Sequence, residues 1–144
     1  MRIGTRQHLT RLLYRMISPR HPRAYVHVIW EEVGTGKSRI VTEGMGRYQL
    51  PELEVFDCPN ERELMGFVHG MVCNAMAALV QSVDHGVPVE EGDVINLHCV
   101  NDPVRVLLAS GSDMTLRLVD IEQSPGTDFP AEAISGYVRK RTKN

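Results

Sequence analysis

The chain has 144 residues, 42% hydrophobic and 24% charged, with a formal net charge of −2. That length suits one domain with a real core, and the composition excludes a disordered or collagen-like chain. The longest apolar run, residues 75–80, is too short to span a bilayer, and three cysteines without paired spacing point to a reducing, cytoplasmic setting rather than a disulfide framework.

The charge is unevenly spread. Residues 1–23 hold six arginines and no acid, and Arg139, Lys140, Arg141 and Lys143 close the chain in the same way. All 18 acids fall between 31 and 132. Such ends suit nucleic acid, an anionic membrane, or docking on an acidic protein surface; the last is favoured because the complement lies in the same chain. Nucleic-acid binding would want aromatics among the basic residues, and the ends offer only Tyr14 and Tyr137.

In chain order, residues 5–17 place Leu9, Leu12, Leu13, Met16 and Ile17 on one helical face, with the arginines mostly elsewhere. Ser18-Pro19 and His21-Pro22 end the helix. An Arg-rich amphipathic start also suits an organelle transit peptide, but a helix packing on this domain or on a partner is the stronger reading. RAYVHVIW (23–30) alternates as a strand, and SRIVTEGM (38–45) is β-branched and strand-like. Between them GTGK resembles the end of a phosphate-binding loop. That loop needs a glycine where Glu31 stands, and Glu31 and Glu32 would repel phosphate. No helix follows Ser38, so the reading is a hairpin tip.

Gly44 and Gly46 suggest a bend, Pro51 a strand start, and ELEVFD (52–57) a third strand with Glu52 and Glu54 on a solvated face. Residues 60–86 form the clearest helix. Asn60 and Glu63 make a capping pair, Leu64, Phe67, Val68, Met71, Val72, Ala75, Leu79 and Ser82 trace one face, and Gly86 stops it. Three more strands follow within 87–122, with a turn at Glu90/Glu91, and the tail suggests a short helix near 130–139. The order α-βββ-α-βββ-tail predicts an α+β fold. Its mostly antiparallel sheet has five to six strands, one long helix packed on one face, and an N-terminal amphipathic helix. One domain, 1–144, is expected, with a basic helical arm (1–23), a core (24–122) and a basic tail (123–144).

Two glycines inside the long helix cost about 1 kcal/mol each against alanine, and close approach of another backbone would offset that. Gly66, Gly70, Cys73 and Ala77 share one stripe, predicting contact with segment 5–17 or with the same helix of another subunit. His69 and Cys73 are four apart, and His98 and Cys99 are adjacent on a strand, where neighbours point to opposite faces. Neither pattern makes a metal set. Cys58 lies near a helix start but beside Asp57, with no base identifiable for it. No serine occupies a G-x-S-x-G elbow, and no cofactor signature occurs.

VTEGMGRYQLPELEV (41–55), followed by a helix and GVPVEEGDVINL (86–97), resembles an uncharacterised bacterial domain family. Thr42, Gly44 and Met45 match its Thr-x-Gly-hydrophobic turn, and Pro51, Glu52, Leu53 and Glu54 match its Pro-Glu-Leu-Glu strand. The helix glycines fall outside that pattern, and the resemblance implies no activity.

The expected function is therefore a non-enzymatic interaction module that self-associates as a dimer. Its interface would use Gly66, Gly70, Cys73 and Ala77 together with Leu9, Leu12, Leu13 and Met16. The alternatives are a small enzyme or ligand-binding domain using Cys58 or His69, and nucleic-acid binding through the basic ends. No cofactor, metal or membrane span is expected.

Overall fold

The computed structural model describes residues 4–99, 102–123 and 138–140. The elements are α1 (Gly4–Ile17), β1 (His27–Gly34), β2 (Lys37–Glu43), β3 (Leu53–Pro59), α2 (Arg62–Asp84), β4 (Asp93–Cys99), β5 (Asp102–Ser110), β6 (Leu116–Gln123) and β7 (Val138–Lys140). Six strands form where alternation predicts them. The seventh, β7, overlaps the end of the span expected to be helical (130–139) and is instead extended, its backbone pairing antiparallel with β4. Residues 130–137 of that expected helix, the tail residues Arg141 and Lys143, and the side chains of His98 and Cys99 lie outside the description.

One mixed, mostly antiparallel sheet runs in the order β1-β2-β3-β6-β5-β4-β7. Each triplet, β1-β2-β3 and β4-β5-β6, is a meander; they meet where β3 pairs parallel with β6, aligning Leu53 with Leu116 and Glu54 with Arg117. A parallel neighbour cannot be reached through a tight turn, and α2 supplies part of the long connection. One sheet face and α2 enclose the core, where Ile40, Leu53, Met71, Leu79, Ile95 and Leu108 are fully buried. Leu64, Phe67, Val68, Met71, Val72, Ala75 and Leu79 of α2 all pack in or against it, as the helical period predicts.

GTGK is a hairpin tip. Gly34 faces Lys37 across a two-residue turn in which Gly36 has φ 73°, and half-exposed Lys37 reaches Asp57 at 3.2 Å. The Asn60 cap does not form. α2 is preceded by Glu61 without a side-chain cap, because the Asn60 Oδ1 accepts from Ser38 Oγ at 2.5 Å and its N–H donates to Gly36 O at 2.8 Å. Asn60 thus ties the hairpin to the helix entry.

Neither Glu52 nor Glu54 lies on a solvated face. The Glu52 carboxylate accepts from Thr42 Oγ1 (2.8 Å), Gly44 N–H (3.0 Å) and Met45 N–H (3.1 Å), while Leu53 N–H donates to Thr42 Oγ1 at 2.8 Å. This unit ties the Thr-x-Gly turn to the Pro-Glu-Leu-Glu strand through Thr42, Gly44 and Met45 on one side and Glu52 and Leu53 on the other. Gly44, at φ 123°, must also lack a side chain, since a Cβ would sit 3.1 Å from Tyr25 O. Glu54 is wholly buried, with bonds from Arg39, from Arg117 Nε at 2.8 Å and from Ser112 N–H at 3.2 Å. Burial alone would push its pKa up; the bonds from Arg39, Arg117 and Ser112 outweigh it and hold the pKa below the usual value.

Candidate functional site

The arginine side of α1, not its leucine side, meets the body. At 100° per residue Arg11 and Arg15 lie opposite Leu9, Leu13 and Met16. Arg11 Nη1 donates to His27 Nε2 on β1. Arg15 Nε donates to Ala24 O at 2.9 Å, with its guanidinium 4.8 Å from the Tyr25 ring centroid. Tyr14 stacks on His21 at 4.5 Å between centroids, and Arg23 lies 5.4 Å over Tyr14. Arg20 pairs with Asp84 at the end of α2. Among the described residues Arg20 meets a carboxylate, while Arg11, Arg15 and Arg23 meet imidazole, carbonyl or ring faces.

Beneath α1 is a cavity of about 10 Å³, lined among others by Thr10, Arg11, Arg23, His69, Cys73 and Met76. It has room for about one water. His69 Nε2 and Cys73 Sγ are 3.7 Å apart. Burial lowers the His69 pKa, with Arg23 adding to it, and burial raises that of Cys73 against the opposing pull of Arg23. Buried Cys58 donates to Pro59 O at 3.6 Å, and burial raises its pKa too. Both cysteines are free thiols, and neither environment favours a thiolate. Among the described residues no three His, Cys, Asp or Glu side chains are placed to hold a metal ion.

The outward side of α1 is apolar. Leu9 is 60% exposed, Leu12 41%, Leu13 53%, Met16 82% and Ile17 70%. On α2 the small-residue stripe is divided. Cys73 is buried, Ala77 is half-buried and Gly66 is exposed, and a Cβ at Gly66 or Gly70 would meet nothing within 4 Å. Among the described residues α1 therefore does not cover the two glycines. The expected interface residues thus form two separate outward patches, with Cys73 beneath one of them.

No protein-family model, curated protein or solved structure matches the chain. Function has to be read from the geometry.

By length and composition α2 could cross a membrane, though half of its most apolar stretch is buried within the fold. The other sheet face carries a shallow cleft of about 400 Å³ lined by Val94, Arg105, Leu107, Asp120, Ile121 and Glu122. Sequence reasoning missed the ring contacts that anchor α1: Tyr14 on the helix and His21, Tyr25 and His27 beneath it. Their signal was four rings within 14 residues of arginine-rich chain.

Proposed function

We propose that this chain is a non-enzymatic assembly module, cytoplasmic, that self-associates as a dimer through its helical layer. The carrying observation is the outward apolar face of α1, five large side chains between 41% and 82% exposed. They expose on the order of 500–600 Å² per chain, the upper limit of a typical monomer's largest apolar patch. A two-fold contact would remove roughly 1,100 Å² in all, near the lower bound for a specific interface. An uncharged helical face is self-complementary, which a two-fold contact requires. An anionic lipid surface or a nucleic acid would instead engage the arginines, and Arg11, Arg15, Arg20 and Arg23 already contact the chain's own groups, Arg15 and Arg20 while remaining exposed. The open flank at Gly66 and Gly70 offers a second place where a partner backbone can approach. The buried side of α2 belongs to the core, so we read it as a core helix and not as a span.

The test is solution mass by light scattering across a dilution series, for the native chain and for Leu12→Glu combined with Met16→Glu. A native dimer, and a monomeric variant with unchanged circular dichroism, are expected. A native monomer at every concentration, or a variant that keeps the dimer mass, would overturn the reading.

A further inference from the structure

The contacts that hold α1 share a chemical requirement. Arginine has no acceptor, so His27 Nε2 accepts from Arg11 only as a neutral ring. His21 stacks on Tyr14 of α1, and its Nδ1 accepts from the Arg23 N–H at 3.2 Å, which again requires that nitrogen unprotonated. His69 lies in the cavity that Arg11 and Arg23 also line. Three imidazoles thus lie at the underside of one helix, each beside guanidinium groups.

We propose that α1 is a pH-released arm: neutral His27 holds Arg11, neutral His21 stacks on Tyr14 and neutral His69 lies in the cavity beneath Arg11, and their protonation detaches the helix. This rests on the assembly reading only for its consequence, since a detached 14-residue helix is marginal in water and would lose its outward face.

The surroundings support this from every side. His27 faces Arg11 and Arg15 from α1 and is opposed, among the described residues, by Glu43, its neighbour on β2. His21 faces Arg23 and Tyr14, and His69 faces Arg23 and Cys73. In each case burial first, then neighbouring arginine, lowers the pKa. The arm is also incompletely satisfied when docked, because Arg11 Nε is buried without a hydrogen-bond partner among the described residues.

The sign follows from linkage. A histidine with a lowered pKa in the docked state binds fewer protons there than in the released state. Docking is therefore fully stable above the ordinary value of about 6.5 and weakens as pH falls below it. Each histidine can weaken docking by at most tenfold per pH unit in that window, and all three act in the same direction.

The experiment follows α1 and the core separately between pH 7.5 and 5. Backbone hydrogen exchange, corrected for the intrinsic pH dependence, is read for residues 4–17 and for α2, with solution mass taken in parallel. The expected result is loss of protection in α1 while α2 stays protected, with His27→Gln moving the loss to lower pH. Glutamine keeps an acceptor for Arg11 but cannot take the proton. Protection of α1 that is unchanged across the range, loss of α1 and α2 together, or a His27→Gln profile identical to native would each overturn the proposal. Running Leu12→Glu/Met16→Glu alongside separates the two readings: release without any mass change refutes the assembly reading and leaves the switch intact. Dissociation while α1 stays protected refutes the switch alone.

Discussion

Glu54 shows how a single carboxylate joins the two halves of the sheet. It sits on β3 at the parallel seam, bonded to Arg39 of β2 and Arg117 of β6, and a Cβ at Gly111 would come within 2.8 Å of its Oε1. Removing one member of a buried, paired set leaves charge uncompensated, which typically costs 3–5 kcal/mol. Arg39 and Arg117 keep some contact with solvent, so Glu54→Ala should fall at the lower end, about 3 kcal/mol, measured as a lowered denaturation midpoint at unchanged slope. A loss below about 1 kcal/mol would mean the network is worth no more than a surface ion pair. Local alternation put this residue in water because it shows only which side of a strand a residue takes. What covers Glu54 on that side comes from Thr115 and Arg117, which lie 61 and 63 residues further along the chain.

At the scale of elements, both helices were legible from their 3.6-residue period, since an apolar face needs that repeat whatever covers it. Which side of α1 turns inward was not. The period marks the leucine face, but docking was decided by His21, Ala24, Tyr25 and His27 on the body, which meet Tyr14, Arg15 and Arg11 of α1. The helix entry shows a similar competition: Asn60 fits a cap, yet Ser38 and Gly36 engage it first. On α2, Gly70→Ala places a methyl group where nothing lies within 4 Å. It should stabilise the monomer by about 1 kcal/mol through helix propensity. If a partner backbone approaches that flank, the same change should weaken dimerisation at least tenfold, read as a shifted midpoint in a mass-dilution series. Higher thermal stability with unchanged dimerisation would remove Gly66 and Gly70 from the interface and leave α1 as the whole of it.

For the whole molecule, acid should act in two separate windows. The histidines under α1 charge below about pH 6.5, whereas Glu54, whose pKa is lowered, keeps its contribution until pH falls below the ordinary carboxylate value of about 4.3 and through the folded one. Far-ultraviolet circular dichroism should therefore lose part of its helical signal well before the core melts; a single transition below pH 4 would contradict this. Assembly through an apolar face should also resist salt, with dimer mass unchanged as salt is raised, because screening acts on exposed charge and not on buried hydrocarbon. A dimer that dissociates with salt would move the contact to the charged ends. The order of the two helices and the first six strands, the hairpin at GTGK and the buried face of α2 followed from sequence alone, because periodicity and turn chemistry are local. The parallel seam of β3 with β6, the burial of Glu54 and the outward face of α1 were decided only in three dimensions. Each depends on which distant group arrives first at a given surface, and no repeat along the chain records that.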